Sequence, residues 1–321
     1  MNKKPYYDLV NFFGKHFPFK VQKIPLNAGF SCPNRDGTKG RGGCTYCNNR
    51  MFSPNYCHQQ KTITEQINDG IAFFASKYPQ MRYLAYFQAY TNTYSDTAKL
   101  MDIYMEALNH SGIEGLIIST RPDCIDNELL KELSTLARNR FAMIEFGVES
   151  TLNRTLLAIN RGHTFATSQE AIRRTAAHGI YAGAHLILGL PGESRDEMLE
   201  HATKLSELPL TTLKLHHLQI IKNTRMAEQY AEQPDSFRFF TVDEYAQLCV
   251  EFAERLRPDI VIERFVSHSP AEYLIAPGWE LKNNEFTVKV LRAFAARNTR
   301  QGRLCESFRT LPQKNNSNTL A

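Results

Sequence analysis

The 321-residue sequence lacks any apolar run near the roughly 18 residues that a membrane helix needs, which excludes a helical span. A secretory opening is lacking too: MNKKPYYDLVNFFGKHF begins basic, but Asn11 and Lys15 break the apolar stretch that a signal requires. Cysteine is sparse, and seven residues without regular spacing do not make the disulfide framework of a small secreted domain. A cytoplasmic protein with reduced thiols and no membrane partner is expected. No strand runs into a Gly-Lys-Ser/Thr or Gly-x-Gly-x-x-Gly segment, so GTKGRGG (37–43) is not a nucleotide loop. Internal repeats are absent, and low complexity is confined to the polar tail Gln313–Asn318.

Charge of one sign is also in short supply. Lysine and arginine number 38 against 33 acidic residues, a net +5 that fits a polyanionic partner without demanding one. The bias gathers at the ends. Lys3, Lys4, Lys15, Lys20 and Lys23 stand against Asp8, and Arg297, Arg300, Arg303, Arg309 and Lys314 against Glu306. Tyr6, Tyr7, Phe12, Phe13 and Phe17 are interleaved with the first group. They suit either stacking on single-stranded nucleic acid or a helix face packed on the core.

Between the ends, short β-branched or aromatic runs alternate with helical patterns. Strands are expected at VQKIPL (21–26), RYLAYFQ (82–88), GLIIST (115–120), AMIEFGV (142–148), IYAGAHLILGL (180–190) and TLKLHHLQI (212–220), with DIVIERF (259–265) as a final candidate. Helices are expected at 62–78, 97–109, 127–139, 195–207 and 242–257, with a helical pair ending near His178. This is the pattern of βαβ units around a parallel sheet, whether open or closed into a barrel. Either architecture gathers active residues at the carboxyl ends of the strands.

SCPNRDGTKGRGGCTYC (31–47) follows the first strand, with eleven residues between Cys32 and Cys44 and two between Cys44 and Cys47. Arg35, Lys39, Arg41 and Arg50 surround these thiols and favour the thiolate that ligates metal. A structural zinc would draw a fourth ligand from Cys57 or His58. A [4Fe–4S] cluster held by three thiolates would leave one iron open to a small molecule. The cysteines alone leave both readings open. Cys124, Cys249 and Cys305 lack paired spacing and are expected to be core or loop thiols.

Three cysteines after the first strand of a βα repeat, with Tyr46 before the last, resemble the radical S-adenosylmethionine (SAM) superfamily. The eleven-residue first spacing, longer than the superfamily's ordinary three, is similar to the branch containing the elongator catalytic subunit. CPNRDGTKGRGGCTYC resembles the YhcC/YtqA-type proteins in particular. The resemblance implies an α/β fold, a partial (β/α)6 TIM-like barrel over 21–265, with a basic aromatic arm at 1–20 and a helical extension and basic tail at 266–321. It implies a cluster on Cys32, Cys44 and Cys47 whose open iron takes the amino and carboxylate groups of SAM. It further implies SAM contacts from Tyr46 at the adenine and Gln88 in YFQAYTNTY, and from Glu149 in FGVES at the ribose. Arg161 in INRGHT would meet the carboxylate, and His185, Gly189 and Gly192 in GAHLILGLPGES would flank adenine and ribose. The reaction implied is reductive cleavage of SAM to a 5′-deoxyadenosyl radical that abstracts hydrogen, with a reduced flavodoxin- or ferredoxin-type electron donor. Members of the elongator branch act on tRNA wobble uridines, which makes tRNA the expected substrate and a small metabolite the alternative. A zinc-stabilised RNA-binding module accounts for the cysteines and basic ends but not for FGVES, INRGHT or GLPGES.

Overall fold

The chain runs α1 (Leu9–Phe13), β1 (Val21–Leu26), α2 (Ile63–Ala75), β2 (Arg82–Phe87), α3 (Thr97–Leu108), β3 (Ile113–Thr120), α4 (Asn127–Ala137) and β4 (Phe141–Glu149). It continues through α5 (Asn153–Ala158), α6 (Phe165–Ala177), β5 (Tyr181–Leu188), α7 (Arg195–Ser206), β6 (Thr212–His217) and β7 (Ile220–Ile221). The last elements are α8 (Arg225–Glu232), α9 (Val242–Arg255), β8 (Val261–Arg264), β9 (Leu274–Ala276) and α10 (Asn283–Ala296). This computed structural model describes residues 4–48, 54, 56–75, 80–279 and 281–305. Lys3, Arg50, Glu306, Arg309, Lys314, the Gln313–Asn318 tail and the expected end of the second helix at Tyr78 lie outside the described residues. Among those described, no helix is long and apolar enough to cross a membrane.

Helix starts follow local chemistry. Ser194 with Glu197 and Thr241 with Glu244 close capping boxes at α7 and α9, and Asp96, Asp126 and Thr164 each accept a backbone N–H three residues on. The strands pair in parallel in the order β1-β2-β3-β4-β5-β6-β8, while β7 and β9 form a separate antiparallel pair. The architecture is the expected partial TIM-like barrel, with the final candidate strand joining the sheet as its seventh. TLKLHHLQI is not one strand: the parallel ladder ends at His217, Leu218 N–H donates to Leu188 O at 2.9 Å, and the chain turns into β7.

β1 and β8 are the two edges of the sheet, yet Lys23 on β1 reaches Glu263 on β8 at 2.6 Å. The sheet therefore curls until its edges face each other. The N-terminal arm lies along the far edge, where Ile262 N–H donates to Tyr7 O at 2.8 Å; an edge strand left bare would be a template for unwanted pairing.

The aromatic residues of the arm pack on the barrel. Phe12 and Phe13 are buried, with ring centroids 5.5 Å (Phe12–Tyr181) and 5.8 Å (Phe13–Phe141) from rings at the starts of β5 and β4. Tyr6 is buried edge-on against Phe265. Phe12 and Phe13 close the amino end of the barrel, Tyr6 packs between Phe265 and Phe294, and none of the three is free to stack on nucleic acid. Phe12→Ala is expected to destabilise the apoprotein by about 3–5 kcal/mol, the usual range for emptying a buried phenylalanine site. A urea melt checks this, and a change below about 1 kcal/mol would place Phe12 outside the core.

Candidate iron–sulfur and SAM site

The cysteine loop carries no regular secondary structure, so other segments must hold it. Asn34 Nδ2 donates to Asn160 O at 2.6 Å, Asn160 Nδ2 donates to Gly43 O at 2.8 Å, and Thr45 N–H donates to Ile159 O at 3.0 Å. The loop after β1 is thereby clamped to the INRGHT segment beyond β4. Gly43 adopts φ 76°, a left-handed conformation that a side chain would strain, and Arg35 packs where its Cβ would be.

The clamp brings Cys32, Cys44 and Cys47 to one cavity at the carboxyl end of the barrel. Arg161 Nη1 donates to Cys44 Sγ at 3.4 Å, and Arg35 Nη2 donates to Cys47 O at 2.7 Å. Burial and then the neighbouring Cys44 push the Cys47 thiol up to about 11, against the pull of Arg35. A metal centre held by this thiol would favour its thiolate form directly. Cys57 is elsewhere: its buried thiol donates to Gln66 of α2 at 3.4 Å. Among the described residues no three His, Cys, Asp or Glu side chains are grouped to hold a single metal ion. Cys57 therefore stands apart from the three cysteines that line the cavity.

Tyr46, Gln88, Glu149, Arg161 and His185 line the same cavity. Gly189 and Gly192 do not; they line a separate cavity beside Arg238 and Phe240. Glu149 sits at φ 66°, after a register slip between Gly147 and Glu149 that turns its carboxylate inward. Arg161 Nη2 donates to Gly147 O at 2.6 Å and stands 3.8 Å from Glu149. A Cβ at Gly147 would lie 2.5 Å from both groups, so only glycine leaves room for them. Burial raises the Glu149 carboxyl above its ordinary range, opposed by Arg161 and by a hydrogen bond with Tyr46. Arg161 Nε and Arg121 Nη1 are buried donors without acceptors among the described residues. Together the thiols, the donors and the carboxylate fit a cluster with an amino-acid cosubstrate beside it.

Below the cavity lies a charged layer that motif reading passed over. Lys214 Nζ donates to Glu145 Oε2 at 2.6 Å and to Tyr86 Oη at 2.8 Å, and stands 3.3 Å from Glu263. Lys23 bridges the same two carboxylates at 3.0 and 2.6 Å, closing a ring of alternating charge. Ser119 and His185 add hydrogen bonds to Glu145 at 3.1 Å each. The signal was present in sequence: single charges at alternate positions of otherwise apolar strands (Lys23, Glu145, Lys214) face the interior of a parallel barrel. Lys23 belongs to this interior, not to a basic surface. Of the histidine pair, His216 faces the barrel beside His185, and His217 stacks on Trp279 at 4.3 Å.

Burial first, then nearby cations, lowers His185 to about 4 and His216 well below its ordinary value; burial alone lowers His217 to about 3. Folded-state values below the unfolded 6.5 mean that the unfolded chain binds more protons between about pH 6.5 and 4. Stability of the apoprotein is therefore expected to fall as pH drops through that window. Glu145, held well below its ordinary range chiefly by Lys214 and Lys23 against the opposing effect of burial, adds a further loss in more acid solution. Urea midpoints from pH 8 to 4 check the sign, and midpoints that rise on acidification would contradict it.

Residues 34–205 match the Radical SAM superfamily model, and residues 210–295 match the Radical_SAM C-terminal domain. The chain is 32% identical over 301 residues to the uncharacterised protein YtqA of Bacillus subtilis, covering 94% of this chain and 93% of YtqA. It is 35% identical over 276 residues to protein YhcC of Escherichia coli K12, covering 84% and 87%. The fold is similar to that of archaeal Methanocaldococcus infernus Elp3 (TM-score 0.67, 14% identity), spanning 88% of this chain and 64% of that structure. The zinc-stabilised binding module is set aside by these matches and by the position of Cys57. The chain belongs to the radical SAM superfamily, as an enzyme of the YhcC/YtqA type whose cofactors are a [4Fe–4S] cluster and SAM.

Proposed function

We propose that this enzyme cleaves SAM reductively and uses the resulting radical to abstract hydrogen from a tRNA uridine at the wobble position. The observation that carries the reading is the meeting of Cys32, Cys44 and Cys47 with Arg161 and Glu149 in one cavity. In this reading the three thiolates hold the cluster, and Arg161 supports Cys44 while its unpaired Nε receives the SAM carboxylate. Glu149 and Tyr46 orient the ribose and adenine, Gln88 borders the methionine end, and His185 stands at the inner wall. Gly189 and Gly192 act from the adjoining turn. When bound, cluster and SAM together supply a 5′-deoxyadenosyl radical through one-electron cleavage of a carbon–sulfur bond. The chain's own part is positioning and exclusion of water: the ionic layer and the aromatic floor seal the barrel below the cavity, leaving entry from the carboxyl end.

A reduced flavodoxin- or ferredoxin-type protein is the proposed electron donor. Support for tRNA comes from the elongator-like spacing of the cysteine loop, not from the N-terminal aromatics, which are packed on the core. Anaerobically reconstituted, reduced enzyme is expected to form 5′-deoxyadenosine from SAM, and a deletion strain to differ from its parent in wobble nucleosides. No 5′-deoxyadenosine would overturn the reaction; unchanged wobble nucleosides across growth conditions would overturn the substrate.

A further inference from the structure

The register between β6 and β8 slips: Leu213 lies opposite Ile262, but Lys214 lies opposite Arg264. Glu263 is the extra residue of this bulge, so two consecutive side chains of β8 turn inward instead of alternating. Glu263 closes the ionic ring, and Arg264, one step nearer the mouth, lines the cavity that holds the three cysteines. Most of the charge around it is balanced, and the exposed Arg35 of the same cavity donates to Cys47 O at 2.7 Å. Lys23 and Lys214 match Glu145 and Glu263, Arg161 faces Glu149, and Arg121 holds Asp123 at 2.9 Å.

Arg264 has no carboxylate within ion-pair distance among the described residues. Its Nη2 donates to His216 Nε2 at 3.1 Å, and its Nε is buried without an acceptor. A neutral His216 can accept this hydrogen bond and fix the guanidinium without cancelling its charge. Half-buried guanidinium groups are costly unless a counter-charge arrives, and their fork matches a carboxylate or phosphate. Arg264 is not hydrogen-bonded to any cysteine or to Glu149, which separates it from the group proposed to hold SAM. Gln219 and Ser267 lie beside it in the same cavity.

We propose that Arg264, held by His216, is an oxyanion-binding subsite for the substrate, which therefore carries a carboxylate or phosphate into the cavity. The inference rests on the reading of this cavity as the reaction site and specifies what the substrate must present there. Its test is calorimetric titration of the reconstituted, SAM-loaded protein with inorganic phosphate and, separately, with acetate. The wild type is expected to bind at least one of them saturably, and the tighter of the two identifies the source as phosphate or carboxylate. Arg264→Gln should weaken that binding at least about tenfold, and Arg264→Lys by less, since it keeps the charge but loses the fork. The change in cluster electron paramagnetic resonance on adding SAM should persist in Arg264→Gln. If Arg264→Gln does not fold, a several-fold loss of anion affinity in Arg264→Lys supports the subsite in its place. Saturable binding of neither anion by the wild type, or equal binding by the variants, would overturn the subsite. A protein that binds phosphate or acetate through Arg264 but never yields 5′-deoxyadenosine would keep the subsite and overturn the reaction, and the converse result would do the reverse.

Discussion

Replacing Cys44 by alanine is expected to lower 5′-deoxyadenosine formation by more than about 100-fold, because even the outer partners of metal ligands are worth about 10- to 100-fold. Iron and sulfide should fall from near four per chain, the content of a [4Fe–4S] centre, to a minor fraction. Cys57→Ala, by contrast, should keep full iron and activity. Its thiol faces Gln66 in the core beside α2, and the loss there is one of packing and a hydrogen bond. The pair of variants separates the two metal readings of the loop. A zinc centre completed by Cys57 would fail with both substitutions; the cluster fails with Cys44 alone. Iron retained in Cys44→Ala, or lost in Cys57→Ala, would contradict the ligand assignment.

Lys214→Met should destabilise the apoprotein by about 3–5 kcal/mol, the cost of removing one partner from a buried ion pair. Glu145 and Lys214 are each almost fully buried, with side-chain exposures of 1% and 3%. Methionine fills the lysine stem but leaves Glu145 and Glu263 sharing only Lys23, and removes the ammonium donor from Tyr86, whose oxygen keeps Ser119 Oγ at 3.0 Å. Adding Glu145→Gln should recover part of the loss, since it removes the surplus negative charge. A double-mutant cycle in urea measures this coupling. A change under about 0.5 kcal/mol in the single variant would mean that the ring does not brace the barrel.

Much of this organisation was legible in sequence for physical reasons that can be named. Parallel strands buried on both faces read as apolar runs, and GLIIST and AMIEFGV fall within a residue or two of their strands, while VQKIPL matches the half-buried edge strand β1. Capping residues such as Ser194 and Thr241 mark helix starts because their side chains satisfy amide groups left over by the first turn. The cysteine spacing marks the cluster loop because thiolate ligation needs little beyond local chain. What local pattern does not report is which residues meet across the barrel. Lys23 and Glu263 are 240 positions apart, and their contact exists only because the sheet curls. The same closure turns Phe12 and Phe13 into a floor, where composition alone allowed a nucleic-acid arm. The bulges at Glu149 and Arg264 are equally silent, since a register slip leaves no mark on hydrophobic period.

At the centre of the proposed chemistry stands a cluster gripped by three thiolates, with its remaining corner given to SAM. Electron paramagnetic resonance of the reduced, reconstituted protein before and after SAM addition tests this most directly. A [4Fe–4S] signal that changes shape and position with SAM, and that Arg161→Gln renders less responsive, is the predicted result. A protein with no such signal, or with one indifferent to SAM at saturating concentration, would contradict it.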